Sequence, residues 1–307
     1  MHVQTDIQNT LREIGAQLDQ NLFPSVYNGG IVMPSETTVS PSTLGKEKNY
    51  ASSRQRRPAT RPWQGAARRQ RQAYRPRPTR GATSVVCSGL QKKYEAELDA
   101  VRKAYPGTKC WHQTEGMWLL TDSILLDGLG KKATFLTIIP YIKKFVAKSW
   151  GFWTTPIYNE WIGPRHTNFP DGSICAFEPR DGTWVGGDRI VTLLDLYSLW
   201  ALRHLHLKIL GKWPGYQSVP HPYEGLTELR DNEYCGCANS DRMYVDCCKK
   251  HDLARDQPAD ALDFLLNFAN GGSRTPPKDI LKFIRLKFIR HREEPPPIIK
   301  FLSQVSL

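Results

Sequence analysis

The stretch HTNFPDGSICAF, residues 166–177, decides how this chain is read. Pro170, Asp171 and Gly172 form a turn signal: proline presets φ, aspartate bonds nearby backbone and glycine tolerates left-handed φ, so the chain reverses there. Cys175 follows that turn between Ile174 and Ala176, which are not metal-binding types. A cysteine beside a turn, with the Asn168 carboxamide seven residues upstream and the His166 imidazole nine upstream, reads as a nucleophile. The plainer alternative is a free cysteine buried in a turn-to-strand segment, a common place for that residue.

Working outward, Leu90, Tyr94, Leu98, Val101 and Tyr105 recur every three or four residues among Lys and Glu. This spacing predicts an amphipathic helix, stopped by Pro106 and Gly107. Segments 116–126 and 131–146 have strand lengths and apolar, β-branched content, with Gly128 and Gly130 as the turn between them and Pro140 as a strand end or edge. Trp150, Phe152, Trp153, Tyr158 and Trp161 extend the pattern as a further strand or an irregular lead-in. After Trp184, residues 188–210 are apolar around most of a helical circumference, as expected of a helix buried on several sides. His204 and His206 on this helix point in different directions, which argues against a shared metal and suggests boundary positions. The expected class is α+β, with consecutive antiparallel strands.

The first 22 residues carry Ile7, Leu11, Ile14 and Leu18, one apolar stripe on a helix too short to stand alone, so it must dock on this chain or on a partner. Residues 23–84 lack periodicity and are rich in Ser, Thr, Pro, Arg, Gln and Gly, a composition expected to be disordered. The net charge is +12, but residues 49–84 hold ten Arg and no Asp, Glu or Lys, which leaves about +2 for everything else. The basic character belongs to this arm. Trp63 and Tyr74 among the arginines suit nonspecific nucleic-acid binding through phosphate pairing and base stacking; a solubilising linker is the bland alternative.

With 307 residues, 40% of them hydrophobic, the chain is long enough for one sizeable domain with appendages or for two small domains. Seven cysteines, three scattered and four clustered, do not resemble a disulfide framework. No basic start with an apolar run marks a secretory signal. The most apolar stretch, 190–202, is interrupted by Asp195 and stops at Arg203, well short of a membrane span. A cytoplasmic protein is expected, with cysteines serving chemistry or metal.

The sequence HTNFPDGSIC, then Trp184, then a long apolar helix, resembles the active-site region of ubiquitin-conjugating enzymes, which carry a His-Pro-Asn triplet, a short turn with Gly and an Ile-Cys or Val-Cys dipeptide. The preceding helix and strand meander match that fold's order, so the resemblance spans roughly 90–210 and is strongest at 163–184. It implies that Cys175 forms the thioester, Asn168 stabilises the oxyanion and His166 braces the loop. Two departures stand out: Thr167 replaces the usual proline, and the spacing from Asn168 to Cys175 is one residue shorter than in the common eukaryotic form. Chemically, acyl transfer from a thioester to an amine needs a preplaced donor for the oxyanion, and a thiolate attacks and leaves readily. Asp171, Glu178 and Asp181 are candidate carboxylates to assist the incoming amine.

A second cluster begins with Cys235 and Cys237, followed by Cys247, Cys248 and His251. Four thiols within fourteen residues suit a closed tetrahedral zinc site. The pattern resembles the SEC-C motif, a small zinc module, with Tyr244 at its aromatic position; the intervening turn, Ala238 to Asp241, lacks the usual glycines and is one residue longer. His251 is an alternative ligand to one of the adjacent thiols, and a redox pair or plain structural cysteines are the remaining readings. The closing segments 261–268 and 280–289 are expected as short helices.

The implied organisation is a short helix (1–22), an arm (23–84), a conjugating-like domain (90–215), a zinc module (225–255) and a helical tail (256–307). The resemblance extends to the conjugating components of bacterial anti-phage systems such as CBASS. It implies a cysteine-thioester transferase whose partner supplies a C-terminal carboxyl, either a ubiquitin-like protein or a nucleotidyltransferase. No GxGxxG follows a predicted strand, so the acyl group would come from a separate activating enzyme or by direct acceptance of a carboxyl end. The competing expectation is a noncatalytic adaptor that uses the same fold, the zinc module and the arginine-rich arm to bind protein or nucleic acid.

Overall fold

The computed structural model describes residues 2–19, 25–27, 30–32, 83–113, 116–142, 145–155, 159–177, 183–219, 221–237, 242–269, 274 and 305–306. Helix α1 (His2–Asp19) is followed by a two-stranded hairpin, β1 (Ser25–Tyr27) and β2 (Gly30–Val32), and by helix α2 (Thr83–Ala104). Strands β3 (Lys109–Gln113), β4 (Gly116–Ser123), β5 (Ala133–Pro140), β6 (Lys148–Thr154) and β7 (Asn159–Trp161) then form an antiparallel meander. Strand β8 (Val305–Ser306) adds in parallel to β7, giving the sheet order β3-β4-β5-β6-β7-β8. A 3-10 helix (Ile124–Leu129) joins β4 to β5, and helix α3 (Ile190–Leu210) follows the loop that carries Cys175; α4 (Pro222–Glu228), α5 (Lys249–Leu253), α6 (Gln257–Asp263) and a π-helical turn (Phe264–Phe268) complete the described elements. The architecture is α+β.

The alternation of the strands explains the layers. Met117 and Leu119 of β4, Phe135 and Ile139 of β5 and Trp153 of β6 point to one face and pack with α2 and α3. Gly151 belongs to this face, because a Cβ there would stand 2.6 Å from the Trp200 ring; only glycine lets β6 approach α3 so closely. Residues of opposite parity, Trp118, Leu136, Trp150 and Phe152, are buried on the other face, where Trp118 and Trp150 stack at 6.4 Å.

Asp195, which interrupts the apolar run of α3, is buried with a purpose. It accepts a hydrogen bond of 2.6 Å from Tyr105, whose hydroxyl lies 3.2 Å from Ser198, and Ser123 donates to Ser198 at 3.0 Å. This polar seam fixes α2, β4 and α3 in register. Glu97 of α2 accepts from the backbone N–H of Ile190 at 2.8 Å, satisfying one of the orphan donors at the start of α3.

Several expectations are revised. Residues 25–27 and 30–32 pair as a hairpin instead of being disordered, and Thr83 and Ser84 belong to α2, which starts seven residues before Leu90; the rest of the arm, with Trp63 and Tyr74, lies outside the described residues. Strand β3 was not anticipated, and β5 stops at Pro140 rather than running to Val146. The helix expected at 261–268 begins at Gln257 and turns π-helical at Phe264. The helix expected at 280–289 lies outside the described residues. The short N-terminal helix docks on this chain: α1 packs on α3, with Leu11 and Ile14 buried. Among the described residues, no helix is long and apolar enough to cross a membrane.

Candidate functional site

The stretch 166–177 folds as a miniature hairpin. Asn168 N–H donates to Ser173 O at 2.7 Å, Gly172 N–H donates to Asn168 O at 2.9 Å, and Thr167 bridges Ile174. Gly172 takes φ 65°, the left-handed conformation that the Pro-Asp-Gly signal anticipates. Asp171 closes the turn by accepting from Ser173 N–H at 3.1 Å and pairing with Lys148, so the nearest candidate carboxylate is engaged in the loop. Glu178 and Asp181 lie outside the described residues.

Cys175 emerges from this hairpin half-buried, its N–H donating to His166 O at 3.0 Å. The same carbonyl accepts from the Trp200 indole of α3 at 2.9 Å, which ties the loop to the buried helix. Asn168 is exposed, and its Nδ2 donates to Ser173 Oγ at 3.2 Å and to Ile174 O at 3.0 Å, the carbonyl immediately before Cys175. His166 sits with φ 49°, its ring 4.1 Å from that of Trp213 and its Nε2 3.1 Å from Gln217 Oε1. Burial, reinforced by the Arg165 charge and opposed by the Gln217 hydrogen bond, holds the His166 imidazole well below its usual range, so it is neutral at physiological pH. Thr167, where the resemblance expects proline, uses its hydroxyl on Pro164 O.

The second cysteine group converges as its spacing anticipates. Cys235 and Cys237 flank Gly236, whose φ is 75°, and Cys235 N–H donates to Arg242 O at 3.0 Å. Cys247 and Cys248 follow a turn at Tyr244, with Cys248 at the start of α5. The Sγ atoms of all four cysteines lie within 4.8 Å of one another, so they could hold a metal ion. The separations of 3.6 Å between Cys237 and Cys247 and 3.8 Å between Cys247 and Cys248 are far beyond a disulfide. They match the edge of about 3.8 Å expected of a tetrahedron with metal–sulfur bonds of about 2.3 Å. Burial and the neighbouring thiols push the Cys247 thiol up to about 11 and Cys248 higher still; a bound dication reverses that balance and takes thiolates. His251 stands outside the group, its side chain 73% exposed and its Nδ1 3.5 Å from Asp252.

One network joins the two sites, and its charged members, Arg165, Glu233, Arg274, Glu224 and Glu228, were not singled out by sequence. Arg165, next to His166, donates to Glu233 Oε1 at 3.0 Å, forks onto Glu233 Oε2 and reaches Gln217 Oε1 at 2.8 Å. Glu233, whose side chain is wholly buried, also accepts from Trp213 N–H at 2.7 Å and Arg230 N–H at 3.2 Å. Gln217 Nε2 donates to Tyr234 O at 2.9 Å, one residue before the first cysteine of the cluster. On the other side, Arg274 donates to Thr167 O at 2.9 Å, stands over Phe169 at 4.5 Å and pairs with Glu224 and Glu228 of α4. A separate cleft of about 370 Å³, lined by Lys131, Lys132, Lys208, Asp127 and Glu160 among others, shares no residue with either cysteine site.

His204 and His206 are core residues rather than boundary ones. His204 lies 4.3 Å from Trp200 and 5.0 Å from Trp213, and His206 Nδ1 is 2.7 Å from Lys212 O. Comparison with known proteins gives no match to this chain, whether against protein-family models, curated proteins or solved structures.

Proposed function

We propose that this chain is a ubiquitin-conjugating-like carrier that accepts the C-terminal carboxyl of a partner protein as a thioester on Cys175 and passes it to an amine. The observation that carries this reading is the hairpin at 166–177, which presents a half-buried cysteine beside an asparagine amide, after an antiparallel meander and before a long buried helix. In the first step the Cys175 thiolate attacks an activated carboxyl, either a thioester or a mixed anhydride, and expels its leaving group. In the second step an amine attacks the Cys175 thioester, the tetrahedral intermediate loses the amine's proton to solvent and collapses, and the C–S bond breaks to release the thiolate with the amide formed. In this reading Asn168, whose Nδ2 now donates to Ser173 Oγ and Ile174 O, releases those bonds and offers its N–H to the oxyanion. Neutral His166 braces the loop through Gln217 and Trp213. The supplying partner in this reading is a ubiquitin-like protein or a nucleotidyltransferase, delivered by a separate activating enzyme or accepted directly at an activated carboxyl end, in an anti-phage setting.

The donor set of the second site fits zinc: four thiols, one fully buried and three half-buried, at tetrahedral spacing. Cys235, Cys237, Cys247 and Cys248 would fill its coordination sphere, so the ion supplies folding energy and no open position for catalysis. Native mass spectrometry should find one ion, lost in Cys235→Ser.

A second reading, a noncatalytic adaptor, is favoured by one feature: the Asn168 amide is already spent on Ser173 and Ile174, as in a purely structural brace. Incubation with loaded partner proteins and a nonreducing gel decides between them. The carrier reading expects a thiol-reducible adduct, absent in Cys175→Ser and, in Asn168→Ala, formed but discharged to amines roughly 100-fold more slowly. If Cys175→Ser retains full biological activity and no adduct forms, the carrier reading is wrong.

A further inference from the structure

We propose that a metal ion in the four-cysteine cluster sets the geometry of the Cys175 loop, with Arg165 and Gln217 as the positioning residues that connect them. The inference rests on the metal reading of the cluster but not on acyl transfer at Cys175, because its test reads thiol accessibility.

The connection runs through two routes, each made of buried or half-buried contacts. The first starts at the Cys235-Gly236-Cys237 knuckle. Gly236 lies so close to the segment after α3 that a Cβ there would stand 2.9 Å from Val219 N and 3.2 Å from Gln217 O. Tyr234 O receives Gln217 Nε2, and Gln217 Oε1 in turn meets Arg165 at 2.8 Å and His166 at 3.1 Å. Beside it, the Glu233 backbone accepts from Tyr244 N–H at 2.8 Å, which ties Glu233 to the turn that leads into the second pair of cysteines. The Glu233 carboxylate then grips Arg165 with both oxygens.

The second route starts at Cys248, whose carbonyl accepts from Asp252 N–H at 2.8 Å within α5. Asp252 accepts from Tyr244 Oη at 3.1 Å and abuts α4, where a Cβ on Gly225 would lie 3.4 Å from its carboxylate. Glu224 and Glu228 of α4 hold Arg274, and Arg274 holds Thr167 O. Both routes end on residues 165–167, and His166 O is the group that Cys175 N–H rests on.

The pair Arg165–Glu233 makes this coupling stiff. The side chains are 9% and 0% exposed, so neither charge can turn to water if the other moves away. A buried ion pair persists only while its geometry is kept, and separating it leaves an uncompensated charge. Losing the metal frees the knuckle that fixes Glu233, so the strain passes directly into the residue preceding His166.

The test uses the full chain, loaded with zinc, and a small neutral maleimide, with each cysteine followed by peptide mass spectrometry. Removing the metal with a chelator should accelerate labelling of Cys175 by roughly 5–150-fold, the range of ordinary coupling between sites. Cys110, half-buried on β3 away from both routes, is the internal control and should change little. Glu233→Gln should keep its zinc by native mass spectrometry yet label Cys175 rapidly with the metal still bound. Gln217→Ala, which leaves the Arg165–Glu233 ion pair in place, should show a smaller increase of the same kind, so the inference does not depend on one variant folding. Restoring zinc should reverse the effect in the parent chain only.

If no metal binds, the inference falls together with the zinc reading. If zinc binds but its removal leaves Cys175 labelling unchanged, or raises Cys110 equally, the coupling is wrong while the zinc reading stands.

Discussion

His204 illustrates how burial converts a titratable side chain into a packing group. It is wedged between the Trp200 and Trp213 indoles, and burial, countered in part by a bond to the Arg165 backbone, pushes its pKa down to about 3. A folded pKa below the unfolded value of about 6.5 means that the unfolded chain binds the extra proton first, so stability is intact above that pH and is lost as pH falls toward the folded value. At pH 5 this amounts to about 2 kcal/mol for one such group, and His166, shifted in the same direction, adds to it. The urea midpoint should therefore drop between pH 7 and pH 4.5, and His204→Phe should flatten that dependence while keeping the aromatic packing; a variant with an unaltered pH profile would mean that His204 is not a contributor. Gly236 makes a different demand, since its φ of 75° and the Val219 backbone leave no room for a side chain. Gly236→Ala should weaken metal binding by about 10–100-fold, as displaced supporting residues do, measurable by competition with a chromophoric chelator. Affinity equal to the parent chain would show that the knuckle does not need this conformation.

At the level of elements, periodicity carried most of the information. The stripe of Leu90 to Tyr105, the buried helix 190–210 and strands β4 and β5 follow directly from apolar spacing, because each buries one face or nearly all of its surface. Strand β3 escaped because its sequence, KCWHQ, is short and largely polar at the edge of the sheet, where pairing with β4 rather than burial holds it. The three-residue strands β1 and β2 escaped for a similar reason: Val26 in one and Ile31 and Val32 in the other are too few to show a period, and their hairpin is held against α3 and the turn after β4. The N-terminal helix was readable as a stripe in need of a partner, and the partner is α3. Leu11, fully buried, anchors it there. Leu11→Ala should cost about 2–5 kcal/mol, seen as a lower melting temperature of the whole chain. A loss confined to α1, with the remaining transition untouched, would mean that the helix docks without supporting the core.

For the whole molecule, the sequence presents the two cysteine sites as separate modules, whereas the structure joins them through charges that no local pattern reveals. The cysteine cluster and the hairpin at 166–177 were each legible because their defining residues are close together in the chain: a Cys-x-Cys with a Cys-Cys pair, and a Pro-Asp-Gly turn before a cysteine. Arg165 and Glu233 are 68 residues apart, and neither lies in a motif, so only tertiary packing identifies them as partners. Their burial makes a further demand on the fold. A chain ending at residue 219 keeps α1, α2, β1 to β7 and α3, yet it leaves Arg165 without Glu233, beside Trp213 and with Gln217 as its remaining side-chain acceptor. Breaking a buried pair by removing one partner costs about 3–5 kcal/mol, a large share of the stability of an ordinary domain. The truncated chain should therefore lose its cooperative urea transition and bind a hydrophobic dye, and Arg165→Met in the same truncation should restore part of the transition by replacing the stranded charge with an apolar side chain of similar reach. Full-length protein should unfold in one step, with Trp fluorescence and far-ultraviolet circular dichroism coinciding. A truncated chain as stable as the full one, with Arg165 intact, would show that the segment after 219 is an appendage and that the Arg165–Glu233 pair contributes nothing to the fold that carries Cys175.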